Sequence, residues 1–178
     1  MIIFRQASPD QPLIAALFEQ ADNRAASLYP DHDRSGTSAA QLIAQNVCFF
    51  VACDTISGAL AGCGGYVPLP DLKAGEHCAQ QAAAHSQTGV CLDAEIKRLF
   101  VNPRARRQGI ARSIMTHIEI DAIRRGYQAL YLETGVKSDA AIALYRSLGY
   151  VPCPPFGPSR KDVNSVFMAK TLSGSAQT

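Results

Sequence analysis

Arg104-Ala105-Arg106-Arg107-Gln108-Gly109-Ile110-Ala111-Arg112 follows directly on a strand-like apolar run closed by Asn102-Pro103, and it opens a stretch with helical spacing. Ala111, Met115, Ile118 and Ala122 recur at i, i+4, i+7 and i+11, so a helix is expected from about Gly109 to Arg125, with Gly126 as its stop. Four arginines at its start face the positive end of the helix dipole, each at about 0.3–1 kcal/mol when nearby. A compensating anion explains such an arrangement better than chance. Free N–H groups of the first turn, Gly109 admitting close backbone approach, and flanking guanidinium groups together suit a pyrophosphate. The alternative is a solvated basic helix start. GxxxxGK[ST] and GxGxxG are both absent, which excludes a Walker A loop and a dinucleotide fingerprint.

Outward from this turn, Val90 to Val101 reads as the longest strand, Tyr127 to Thr134 as the next, and Asp139 to Leu148 as a helix stopped by Gly149. Tyr150 to Cys153 and Ser165 to Leu172 read as the last strands. Toward the N-terminus, Cys48 to Cys53 and Ala59 to Val67 form a hairpin, with glycines at 62, 64 and 65 that weaken the second strand or admit something close to its backbone. A short helix is expected over Ser38 to Ala44. A longer one is expected to begin with Ser8 as N-cap and Pro9 at its first position, and to run to about Arg24. Ile2 to Ala7 is the first strand. Pro70 to Gly89, rich in Ala, Gln, His and Gly and without a period, reads as a mobile insertion, and residues 173–178 as a frayed tail. The order βααβββαβαββ predicts one mixed α/β domain over residues 1–172, with a strand-helix-strand crossover at 91–134.

Composition removes whole classes of function. The 178 residues carry 47% hydrophobic side chains, enough for a core, and a net charge of only +2. That charge does not suit a general nucleic-acid or polybasic membrane binder. No apolar run approaches the roughly 20 residues of a spanning helix. Six cysteines form no CxxC pair, and several sit in apolar runs where a reduced thiol acts as a small hydrophobe. Arg5 follows the first apolar residues, the reverse of a signal peptide, so a cytoplasmic location is expected.

Arg106-x-x-Gly109-x-Ala111 resembles the [Q/R]xxGx[G/A] acyl-CoA signature of the GCN5-related N-acetyltransferase (GNAT) family. Ala94-Glu95-Ile96-Lys97-Arg98-Leu99-Phe100-Val101 resembles that family's fourth strand, and Ala141 to Tyr150 its fourth helix and exit. Leu132-Glu133-Thr134-Gly135, and Pro155-Phe156-Gly157 followed by Ser165 to Met168, resemble a bacterial branch acting on small molecules. The resemblance covers 91–172 strongly. It implies a fold whose fourth and fifth strands splay apart around acetyl-CoA. The pantetheine would pair with the backbone at Leu99, Phe100 and Val101, and the pyrophosphate would lie on Arg106, Arg107, Gln108, Gly109, Ile110, Ala111 and Arg112.

Direct transfer to an amine needs a base, because an amine with a pKa near 10 is mostly charged at neutral pH. Glu95 stands eleven residues before Arg106, where some family members carry that base; otherwise it is an ion-pair partner of Lys97 or Arg98. Tyr145 matches the tyrosine that protonates the departing thiolate, or it is a packing residue on the face Ala141, Leu144, Tyr145, Leu148. Ser138 occupies the place of a pantetheine-binding asparagine and offers one bond of its two. By resemblance Tyr29, Asp31, His32 and Asp33 lie in a loop roofing the acceptor, unless that loop is merely solvated; Glu133 faces the cleft or braces an arginine. His77, Cys78, His85 and Cys91 have no structural-zinc spacing, so no metal is expected, and His117 reads as a surface histidine.

The function expected is acetyl transfer to the primary amine of a small or amino-acid-like molecule. The alternatives are a protein lysine or N-terminal acceptor, or a non-catalytic acyl-CoA sensor. No nucleic-acid or membrane partner is expected, and a homodimer stays open.

Overall fold

The computed structural model describes residues 1–31, 36–69, 92–157 and 162–172. Seven strands form one mixed sheet in the order β1-β2-β3-β4-β5-β7-β6, as the resemblance implies. They are β1 (Ile2–Gln6), β2 (Cys48–Asp54), β3 (Leu60–Leu69), β4 (Asp93–Val101), β5 (Ala129–Gly135), β6 (Val151–Pro152) and β7 (Ser165–Thr171). The helices are α1 (Pro12–Leu28), α2 (Ala39–Ala44), α3 (Ile110–Arg124) and α4 (Asp139–Ser147). The expected insertion at 70–89 and the tail at 173–178 lie outside the described residues.

Contacts divide the chain into two compact units: Met1–Val67 with Ile96–Ile118, and Pro68–Glu95 with Glu119–Thr178. In the first, Ile14, Leu17 and Phe18 of α1 and Leu42 of α2 bury themselves with Phe49, Val51, Cys63 and Phe100. Phe18 meets Phe49 edge to face at 5.7 Å. Ile114 of α3 packs where a side chain on Gly62 or Gly64 would stand. A Cβ on Gly62 would also strike the Phe100 carbonyl at 2.8 Å, and one on Gly65 the Cys48 carbonyl at 2.5 Å. These glycines admit neighbouring strands rather than weaken their own.

In the second unit, β5 pairs with β7 in antiparallel register from Ala129↔Thr171 to Gly135↔Ser165. Its core is Ala129, Tyr131, Phe156, Phe167 and Ala169, with the Phe156 ring edge-on to both Tyr131 and Phe167. The first residues of β4 join it in parallel register, from Asp93↔Ala129 to Glu95↔Tyr131. Parallel pairing requires a crossover, which α3 supplies.

Several boundaries differ from the sequence reading. α1 starts with Gln11 as N-cap and Pro12 at the first position, not with Ser8 and Pro9. Had it begun at Pro9, Pro12 would be the first residue needing an N–H for an i→i−4 bond, which proline lacks. At its far end α1 absorbs Ser27 and Leu28, and the Tyr29 N–H closes it on the Ala25 carbonyl at 3.0 Å. α2 forms as expected, with Ser38 and Gln41 exchanging both bonds of a capping box. A 3-10 turn at Pro103–Ala105, capped by the Asn102 side chain, was not anticipated. On α3 the buried face is Ile110, Ile114, Met115, Ile118 and Ala122, with Ala111 only half-buried.

Candidate active site

The arginine-rich turn belongs to the first unit. Arg107 and Gly109 both have left-handed backbone (φ 59° and 76°) on either side of Gln108, an alternation of hand that gathers N–H groups into an anion-binding concavity. Gly109 then opens α3, its carbonyl accepting from the Ser113 N–H at 3.0 Å. Nothing lies within 4 Å of where a Gly109 Cβ would stand. Arg104, Arg106, Arg107 and Arg112 are all exposed. Arg106 is oriented: its Nε donates to the Val101 carbonyl at 3.3 Å and its guanidinium lies 5.8 Å over the Phe100 ring. Partial burial, and then the like charge of Arg24 on α1, push the Arg106 pKa down. Arg24 had no signal in the sequence.

β4 prepares this turn. The Phe100 carbonyl faces β3, and the Asn102 N–H donates to the Ala61 carbonyl at 2.9 Å. By strand alternation Val101 turns its own N–H and carbonyl to the opposite edge. Arg98, mid-strand, is also left-handed (φ 58°). Its side chain, 6% exposed, pairs through both terminal nitrogens with the two Asp22 carboxylate oxygens and stacks 3.9 Å from the Phe18 ring centre. The Gly36 N–H donates to the same Asp22 at 3.1 Å.

The two candidate proton-handling residues belong to the second unit. Glu95, 8% exposed, and Asp93, 6% exposed, are the buried acids of β4. Tyr145 of α4 is also buried, and that burial pushes its pKa up, so the phenol keeps its proton at neutral pH. Its ring meets Tyr150 edge-on, centroids 5.9 Å apart. Ser138, the N-cap of α4, makes no side-chain capping bond. The Glu133 carboxylate accepts from the Ser165 hydroxyl at 2.6 Å.

Known proteins supply the deciding observation. The acetyltransferase (GNAT) family pattern matches residues 13–150. The chain belongs to the GNAT family. This GNAT enzyme is an N-acetyltransferase, and its relatives include an IAA acetyltransferase of Azospirillum brasilense, 33% identical over 96% of this chain and 98% of that one. It is also 41% identical, over 38% of its length and 47% of the other's, to the [Ribosomal protein bS18]-alanine N-acetyltransferase of Escherichia coli. A Klebsiella pneumoniae protein described as an acyl-CoA N-acyltransferase shares the fold at a TM-score of 0.70, with 27% identity over 97% of this chain and 99% of that one. A GNAT acetyltransferase of Elizabethkingia anophelis, crystallised with acetyl-CoA bound, superposes at a TM-score of 0.62 with 15% identity over 96% and 98%.

Of the residues expected around the acceptor, Tyr29 is buried at the end of α1 rather than displayed on a loop, and Asp31 is exposed. His32 and Asp33, like His77, Cys78, His85 and Cys91, lie outside the described residues. His117 is exposed, stacked on Phe4 at 4.6 Å with Nδ1 on the Ser113 carbonyl. No helix among the described residues is long and apolar enough to cross a membrane.

Proposed function

We propose that this GNAT enzyme transfers the acetyl group of acetyl-CoA directly to the primary amine of a small or amino-acid-like molecule. The observation that carries the reading is a buried glutamate and a buried, protonated tyrosine in one compact unit. Glu95 takes the proton that the incoming ammonium must lose, directly or through a water. Tyr145, protonated at neutral pH, gives its proton to the departing CoA thiolate. The alternation of hand at 107–109 and the open space beside Gly109 suit a pyrophosphate. Arg104 and Arg107 have no ion-pair partner among the described residues, so both charges are available to it. Val101 offers its backbone to the pantetheine, with its carbonyl already shared with Arg106, while the Phe100 carbonyl is turned to β3. Ser138 donates one hydroxyl bond. β3, β4 and α3 each begin in one unit and end in the other, which supports folding as a single domain.

A compact acceptor is favoured because the relative matched over 96% of the chain, α1 and α2 included, is named for IAA. The relative named for a ribosomal protein is matched over only 69 residues. A panel of amines incubated with purified protein and acetyl-CoA, following free thiol, tests both. Thiol release with small amines supports the reading. Release only with a peptide bearing an N-terminal alanine moves the assignment to a protein acceptor, and no release with tight CoA binding moves it to a sensor.

A further inference from the structure

At the end of α4 the chain closes in a Schellman turn: the Tyr150 N–H donates to the Tyr145 carbonyl and the Gly149 N–H to the Arg146 carbonyl, both at 3.0 Å, with Gly149 left-handed at φ 89°. That turn brings the side chains of Tyr145 and Tyr150 together, and an apolar pair suffices for it. Phenylalanine at 150 would pack the same ring. Tyr150 is instead 1% exposed with a hydroxyl that has no hydrogen-bond partner. It faces Glu119 of α3, whose Oε1 is likewise buried and unpartnered, while Oε2 accepts from Lys170 of β7 at 2.7 Å. The Lys170 ammonium also lies 5.6 Å over the Tyr150 ring. A buried hydroxyl and a buried carboxylate oxygen left unbonded are destabilising, so stability does not explain them. What the group does achieve is to tie the Tyr150 backbone to α4 and to seat its ring and hydroxyl against the α3–β7 ion pair, without a hydrogen bond from the hydroxyl.

We propose that Tyr150 is a positioning residue for Tyr145, with the Glu119–Lys170 ion pair packed against its ring and hydroxyl. The proposal rests on Tyr145 as the acid that protonates the thiolate. A phenol with no fixed neighbour rotates within its pocket; one packed edge-on against a ring that is tied to α4 and backed by an ion pair presents its hydroxyl in one direction, as proton transfer in the transition state requires. The groups facing Tyr150 are Glu119 from α3, Lys170 from β7 and Tyr145 from α4. All are in the second unit.

The test is a double-mutant cycle on turnover with an amine from the panel, using the parent, Tyr150→Phe, Tyr145→Phe and the pair. Tyr150→Phe is expected to lower kcat about tenfold with unchanged KM for acetyl-CoA, and to lower it no further in the Tyr145→Phe background, because a residue that acts through another is silent once that other is gone. Additive losses overturn the proposal, as does a Tyr150→Phe variant that turns over like the parent. A Tyr145→Phe variant with parental kcat overturns the acid reading itself, and is distinguishable from both. If Tyr150→Phe does not fold, Glu119→Gln replaces it in the same cycle, since the amide keeps the size of the side chain facing the hydroxyl but loses the charge that pairs with Lys170.

Discussion

The arginine turn and the tyrosine cluster solve opposite problems. Around Gly109 the chain is exposed, left-handed at two positions and open where a side chain would stand, which suits the proposed pyrophosphate. Around Tyr145 the rings of Tyr145 and Tyr150 are buried, Glu119 and Lys170 are half-buried, and the polar groups face one another. A turn suited to a polyanion needs donors in water-accessible space; burial holds a phenol still further from ionisation than water does. The difference separates affinity from turnover, and substitutions in the two places should fail in different ways.

The sharpest contrast comes from Glu95→Gln. The amide keeps the shape but cannot accept a proton, so kcat is expected to fall by roughly 10²–10⁴, about 3–5 kcal/mol of barrier, with CoA affinity unchanged. Higher pH should partly restore the rate, because more amine arrives already deprotonated. A matched loss of CoA affinity in calorimetry would place Glu95 in binding instead and erase the contrast. Gly109→Glu should do the reverse. Its φ of 76° strains any side chain, and the new carboxylate repels phosphate, so CoA affinity is expected to fall by about 100-fold, roughly 3 kcal/mol. The open space beside Gly109 means that Gly109→Ala should meet no clash and suffer only the backbone strain.

The two regions also differ in how well they could be read. Gly109, the α3 stripe and the Gly126 stop were legible because helix starts and ends are local signals, and the short helix α2 was legible too, though its Ser38–Gln41 box was not read. The α1 start was not: both Pro9 and Pro12 fit a first helical position, and only the missing N–H at Pro12 chooses between them. Glycines 62 and 64 announced a close approach without saying that β4 and Ile114 make it. The Glu119–Tyr150–Lys170 group joins α3, β7 and the end of α4, with no periodicity or motif connecting the three. Ser165, which donates to Glu133, stands 32 residues away and reaches it through strand pairing, so nothing local to Glu133 announced it.

Alkaline pH should distinguish the units without any ligand. In the first, burial pushes the Cys63 thiol from 9.0 up to about 12, against the opposing charge of Arg98. In the second, burial raises Tyr145, and burial together with the Glu119 carboxylate raises Tyr150, both above the ordinary 10.0. Each group holds its proton more tightly folded than unfolded, so its stabilisation is complete below the unfolded value and is lost as pH climbs toward the folded one. Denaturant titrations should therefore show stability falling from about pH 9 because of Cys63 and more steeply from about pH 10 because of the tyrosines, by about 1.4 kcal/mol per pH unit per group. Cys63→Ala should remove the first slope and Tyr150→Phe part of the second. Identical slopes in parent and variants would mean that these groups stay solvated.

The smallest expected effect is also the one that changes sign. Arg24 of α1 lies close enough to Arg106 for the two like charges to push the Arg106 pKa down. Without a ligand that repulsion opposes folding; with a polyanion bound, both charges attract it. Arg24→Ala should therefore leave the ligand-free protein as stable as the parent or slightly more so, while weakening CoA by about threefold, the scale of an exposed ion pair. The loss should shrink at high salt, since the screening length falls from about 10 Å at 0.1 M to about 3 Å at 1 M. Thermal unfolding with and without CoA, at low and high salt, reads both signs in one series. A variant less stable without ligand and unchanged in CoA affinity would make Arg24 an ordinary surface residue of α1, and would confine the anion site to the turn at 104–112.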